Sequence, residues 1–416
     1  MGGPGLPCVH CGLCLDTCPT YRVLGTEADS PRGRIYIMEG IRDGELEFDD
    51  EAALHLSRCL GCLACESACP SGVSFGRRIE EFRPRLAERT GSTRRWQDLA
   101  RKAYTSDALV DAGVKVASLL DRAGLGGVRR KVPGLGLLPG SLPGSQPSSS
   151  AGVSPLRRST SHQPLRARAR VAVLTGCVAD RVLPDINRDT VEVLQRNGIE
   201  VVEVAGQQCC GALALHAGLT SDAVELAAAN ANALAGSDID FVVTTAAGCS
   251  AMLRDYAHVL AGTSAAGRGE ELASMSRDIC ELLVEIGFDA PARPLEARGN
   301  VAFHDACHLL HAQGISSAPR RVCEVALGRA PVDLGENAIC CGSAGSYNID
   351  HPVLSAEIGA RKAELARERK ATVVAVANVG CMLQIGQAVA LAGLPTLVKH
   401  PVQLLAEAYR RSDTGA

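Results

Sequence analysis

The sequence predicts an α plus α/β chain, in which a helical cysteine-rich unit precedes a duplicated α/β module. Three observations predict it. Two cysteine runs of identical spacing begin at Cys8 and Cys59. The segments between and behind them read as helices. From Val171 onward, short β-branched runs alternate with amphipathic stretches, and the whole pattern occurs twice. At 416 residues the chain is longer than one hydrophobic core usually organises, which agrees with several domains.

The helical unit spans residues 1–123. Ser30 followed by Pro31 is an N-cap and first helical residue, starting a helix through "RGRIYIMEGIR". A second helix is expected through "DDEAALHLSR". A third is expected from Phe75 to Glu88, with Pro84 as a kink or break. Residues 124–170 carry six prolines, eight Lys or Arg and no Asp or Glu, the composition of a linker. Then "VAVLTG", "IEVVEV", "IDFVVTT" and "ATVVAVAN" read as buried strands between helices, which predicts parallel sheets in two modules, 171–298 and 299–416.

Composition narrows the function. Aromatic residues make up 3% and the net charge is −3, so nothing favours a nucleic-acid partner. Residues 1–15 lack the basic start and apolar core of a signal peptide, and no apolar run reaches membrane-span length. The expectation is a cytoplasmic chain, at most peripheral on the inner face of the cell membrane. Eighteen cysteines in such a chain point to metal binding and not to disulfides.

Both opening runs match C-x2-C-x2-C-x3-C-P, the bacterial ferredoxin pattern, in which the fourth cysteine serves the other cluster. Cys8, Cys11, Cys14 and Cys69 are therefore expected to hold one [4Fe–4S] cluster, and Cys59, Cys62, Cys65 and Cys18 the other. Zinc needs only four tetrahedral ligands and does not account for two full copies. The fold class becomes an all-helical two-cluster ferredoxin domain followed by a duplicated α/β Cys-Cys-Gly module.

In the second half, Cys177, Cys209, Cys210 and Cys249 correspond to Cys307, Cys340, Cys341 and Cys381. The intervals are 32 against 33 positions from first to second, and 39 against 40 from third to fourth. All four thiols of a copy are expected to gather at the carboxyl ends of parallel strands, with the glycines letting backbone approach a cluster or substrate. Three chemistries suit four thiols: a further iron–sulfur cluster, zinc, or a vicinal redox dithiol. Cys280 and Cys323 are left over and read as buried apolar residues. His304, Asp305, His308 and His311 surround Cys307, with no counterpart in the first copy. They either move protons near a redox centre or fill a satisfied surface or loop role, and the second is expected. Arg32 and Arg34 stand between the two runs, placed either to tune cluster sulfurs or to cap a helix.

The stretches "CVHCGLCLDTCPTYRVLG", "PRGRIYIM", "CPSGVSFG", "CCGSAGSYN" and "ANVGCM" together resemble the iron–sulfur subunits of glycolate oxidase, over nearly the whole chain apart from the linker. The resemblance implies an electron-transfer subunit. A separate FAD-containing chain would oxidise a 2-hydroxy acid, and electrons would pass through the two clusters to a quinone or other acceptor. The same superfamily includes lactate-utilisation, glycerol-3-phosphate dehydrogenase and heterodisulfide reductase subunits. In heterodisulfide reductases each module closes with C-x-x-C and offers five thiols, whereas here Met252 and Gln384 stand at the closing positions. A thiol–disulfide reductase using Cys209-Cys210 or Cys340-Cys341, and a zinc-stabilised scaffold, are the competing functions.

Overall fold

The computed structural model describes residues 8–89, 167–295, 299–336 and 338–414, with four single positions between 116 and 123. The expected linker falls outside the described residues except for its last four positions, as do the boundaries at 123/124 and 298/299.

Among the described residues the regular elements of the N-terminal unit are all helices. Ser30 caps the helix Pro31–Asp43 by accepting from the Gly33 N–H, and Asp49 caps Asp50–Ser57 by accepting from Ala52. The helix Phe75–Arg89 runs through Pro84 without a break. Its apolar face (Phe75, Ile79, Phe82, Leu86) is buried against Ile35, Met38 and Leu56, and that packing holds the helix across the lost hydrogen bond.

Two four-stranded parallel sheets follow. In the first, β1 (Arg170–Val173) is flanked by β2 (Glu200–Val202) and β3 (Phe241–Thr244), and β3 pairs with β4 (Ser276–Asp278), giving the order β2-β1-β3-β4. The second repeats it: β5 (Asn300–Phe303), β6 (Val332–Asp333), β7 (Ala371–Ala375) and β8 (Leu397–Lys399), in the order β6-β5-β7-β8. Val171↔Val201 and Val171↔Phe241 register the first sheet, Ala302↔Val332 and Ala302↔Val374 the second. One continuous core joins the modules, where the helices Ile279–Ile286, Ser317–Leu327 and Pro401–Thr414 pack together. Cys280 and Cys323 are fully buried there, as apolar spares should be.

The helical unit sits on both modules. Arg83 donates to the carbonyl of His216 at 2.6 Å and Arg77 pairs with Asp255 at 2.8 Å, both in the first module. Gly218 packs against the Arg83 carbonyl with φ +77°, and a Cβ there would stand 2.3 Å from that oxygen, so only glycine permits the approach. On the second module, Tyr347 donates to the Arg58 carbonyl at 3.1 Å, His351 pairs with the Ser57 carbonyl at 3.1 Å, and Arg22 with Glu336 at 3.2 Å.

Candidate metal centres

The cysteines of the N-terminal unit line two cavities. The first is bounded by Cys8, Cys11, Cys14 and Cys69, with Cys65 on its wall. The second is bounded by Cys18, Cys59, Cys62 and Cys65. Pro31, Cys65 and Phe75 line both, so the cavities are neighbours. Each fourth cysteine therefore crosses to the opposite run. No carboxylate lines either cavity; beside His10, Arg32 and Ser71 in the first and Thr20 and Arg34 in the second, the lining is apolar, with Ile35, Val73 and Leu60 among it. Four thiols in such a lining, without carboxylates, suit an iron–sulfur cubane.

The loops are held by the segment between the runs. Arg32 donates to the carbonyl of His10 at 3.1 Å and to Glu27 at 2.7 Å, pinning the Cys8–Cys14 loop. Arg34 is fully buried. It donates to Thr20 at 3.1 Å and to the His55 carbonyl at 2.8 Å, and lies 3.9 Å from the Cys18 sulfur. Its charge is balanced by the buried Asp29, which also accepts from Arg58 at 3.1 Å. Arg34 is thus beside the Cys18 sulfur, whereas Arg32 reaches the His10 carbonyl and the Glu27 carboxylate.

In each module the thiols meet past the carboxyl ends of three strands: Cys177 follows β1, Cys209 and Cys210 follow β2 and Cys249 follows β3, with Cys307, Cys340, Cys341 and Cys381 placed likewise after β5, β6 and β7. Cys177 and Cys209 sulfurs are 3.2 Å apart and Cys210 and Cys249 3.3 Å. Cys307 and Cys340 are 3.9 Å apart, and Asn378 donates to the Cys381 sulfur at 3.2 Å. Hydrogen bonds from Cys177 and Cys210 pull the Cys209 thiol down to about 3, and the matching bonds from Cys307 and Cys341 hold Cys340 well below the usual thiol range. The other members, Cys177, Cys210, Cys307 and Cys341, are pushed up chiefly by those same bonds together with burial.

The Cys-Cys-Gly glycines also make a close packing contact. Gly211 and Gly342 adopt φ +88° and +93°, and a Cβ would meet the Ala223 carbonyl at 3.1 Å or the Ser355 carbonyl at 2.9 Å. They let the thiol loops lie against the helices Thr220–Leu234 and Pro352–Glu368.

The two modules differ in burial and in neighbours. All four thiols of the second are buried, whereas only Cys210 is buried in the first. Leu60 and Cys62 of the second ferredoxin run pack into one apolar cluster with Cys307, Cys340 and Tyr347. The second cavity thus adjoins the thiols of the second module.

The surface role expected for the histidine group is corrected. His304 and Asp305 are buried, since the chain leaving β5 runs beneath the helix Ser317–Leu327, whose Arg320 pairs with Asp305 at 2.7 Å. His308 lies edge-to-face with His216 at 5.5 Å between centroids, beneath Gly61, and burial lowers the pKa of both rings. His311 is the one satisfied at an edge, by Ser67 at 2.8 Å and the Ala338 carbonyl at 2.9 Å. Sequence reasoning missed Arg83, His216 and Lys362. The buried Lys362 ammonium donates to the Glu336 carbonyl at 2.7 Å and faces the Cys340, Cys341 and Cys381 thiols. No spacing pattern marks these residues.

A helical unit with two four-thiol cavities, docked on paired cysteine-rich α/β modules, defines an electron-transferring iron–sulfur protein. Comparisons agree. A family model described as a 4Fe-4S dicluster domain matches residues 6–73, and one described as a cysteine-rich domain matches 171–254 and 301–386. The probable glycolate oxidase iron-sulfur subunit of Bacillus subtilis is 33% identical, over 98% of this chain and 94% of its own length. The glycolate oxidase iron-sulfur subunit of Escherichia coli is 32% identical over 97% and 94%. Lactate utilization protein A of Oceanobacillus iheyensis is 29% identical over 57% of this chain and 96% of its own length. The chain belongs to the family of glycolate oxidase iron–sulfur subunits. Among the described residues no helix is long and apolar enough to cross a membrane.

Proposed function

We propose that this chain is the electron-transfer subunit of a flavin-dependent 2-hydroxy-acid dehydrogenase of the glycolate oxidase type. Oxidation of glycolate to the 2-oxo acid takes place on a partner chain carrying FAD, and the electrons leave for a quinone or another acceptor. Cys8, Cys11, Cys14 and Cys69 hold one [4Fe–4S] cluster; Cys59, Cys62, Cys65 and Cys18 hold the other. When bound, such clusters supply one-electron carriers. The chain's residues enclose them, exclude water and set their order. The unit 1–123 is the ferredoxin domain, 124–170 the linker, and 171–298 and 299–416 the two modules, on a cytoplasmic chain bound to the membrane only through partners.

The observation that carries this reading is the pair of adjacent four-thiol cavities, the inner of which abuts the buried thiols of the second module. That order supplies a short path between the more exposed Cys11 side and the buried thiols of the second module. The test is anaerobic mixing of the full chain with its flavoprotein partner and glycolate, followed by absorbance and EPR. Glycolate should reduce the clusters only when the partner is present. Reduction by glycolate without the partner, or none with it, would overturn the reading.

A further inference from the structure

The two modules share a fold and a thiol pattern, yet they differ at the positions that face the thiols. Three residues before the first cysteine the first copy has Leu174 and the second has His304. Three before the last cysteine, Ala246 stands against Asn378, and three after it Met252 stands against Gln384. Gln384 sits where a fifth thiol would close the motif, but its amide turns away and donates to Ser355 at 3.0 Å. The second module therefore lacks a fifth thiol and gains an imidazole.

His304 is fully buried, and its backbone N–H donates to the Ala375 carbonyl at 3.0 Å, extending the β5–β7 pairing by one residue and fixing where the ring lies. Neither ring nitrogen has a hydrogen-bond partner among the described residues. A buried polar group without a partner is rare in a folded chain and calls for a ligand. The ligand is indicated by what stands beside it: one ring nitrogen and the sulfurs of Cys341 and Cys381 all lie within 4.8 Å of one another. Donor atoms around one tetrahedral ion, at bonds of about 2.0–2.3 Å, stand roughly 3.5 Å apart, so a modest contraction brings the three onto a common ion. Cys307 and Cys340, equally buried, offer further sulfur donors.

Burial lowers the pKa of the His304 ring, with the Lys362 and Arg320 charges adding to that. Lys362 and Asn378 supply positive charge and an N–H to the thiolate sulfurs from a second layer.

We propose that His304 is a metal ligand, and that with Cys341 and Cys381 it holds a thiolate–imidazole metal centre in the second module that the first module has no residue to match. Sulfur with imidazole selects iron or zinc over magnesium or calcium. The assignment stands on the module's own residues, and it deepens the electron-transfer reading by giving the inner cavity a metal neighbour.

The test uses the full chain, purified anaerobically, as wild type, His304→Leu and His304→Cys. Leucine is the residue the first module already accommodates at this place, and cysteine keeps a donor. Iron and zinc are counted, and X-ray absorption is recorded at the edge of the metal found in excess of the N-terminal clusters. Wild type should carry at least one such equivalent, with imidazole scattering. His304→Leu should lose that equivalent while the N-terminal cluster EPR is unchanged, and His304→Cys should keep the metal and lose the imidazole signature. The edge that responds tells iron from zinc. No excess metal in wild type, or excess metal without imidazole scattering, overturns the proposal. If His304→Leu does not fold, the wild-type and His304→Cys spectra decide. Absence of the N-terminal EPR signal in wild type would count against the electron-transfer reading alone.

Discussion

Tyr347 of the second module donates its hydroxyl to the carbonyl of Arg58, 3.1 Å away, one residue before the first cysteine of the second ferredoxin run. The bond fixes the loop that carries Cys59 and Cys62 against Cys307 and Cys340. Tyr347→Phe keeps the ring and removes the donor, leaving a part-buried carbonyl without that partner. It should cost about 1–2 kcal/mol of stability and slow electron passage into the second module. Thermal unfolding and rapid-mixing reduction kinetics check this, with iron content expected to stay at the wild-type level.

The crossing of Cys18 and Cys69 between the cavities makes a paired prediction. Cys69→Ala should degrade the cluster of the Cys8–Cys14 loop, and Cys18→Ala the cluster of the Cys59–Cys65 loop. Each should halve the N-terminal iron, and the surviving EPR signals should differ. Identical residual spectra would mean that the fourth ligands do not cross.

Arg34 brings a buried positive charge within 3.9 Å of the Cys18 sulfur. Adding an electron to a cluster there is favoured by that charge, so Arg34→Gln should lower one reduction potential. The expected size is roughly 65–130 mV, the one-electron equivalent of the ~1.5–3 kcal/mol typical of a charged hydrogen bond. A redox titration followed by EPR should show the shift in the cluster that Cys18→Ala removes, and not in the other.

Asp278 caps the helix Ile279–Ile286 from a fully buried site, and burial raises its carboxyl pKa from 3.8 to about 7. A carboxyl whose folded pKa is raised favours folding in its protonated form. Its contribution is complete below about pH 4 and is lost as pH rises through about 7. Asp278→Asn should flatten this part of the stability–pH curve, measured by chemical denaturation between pH 5 and 8.

Much of this architecture was legible in the chain. The cysteine spacings imply both cavities, the Cys-Cys-Gly repeat implies two sheets of the same order, and Ser30-Pro31 marks a helix start. What was not legible depends on docking between units distant in sequence. "HDACH" looks like polar loop, and only the packing of the helix Ser317–Leu327 over β5 turns His304 and Asp305 inward. Pro84 suggested a break, but the buried Phe82 and Leu86 on either side keep the helix whole.

The central claim is that electrons cross this chain through two clusters in its N-terminal unit. Metal analysis with EPR spin quantitation of the anaerobically purified, dithionite-reduced full chain tests it most directly. The account predicts at least about eight iron atoms per chain and two interacting reduced [4Fe–4S] signals. Iron-free protein holding only zinc would contradict it.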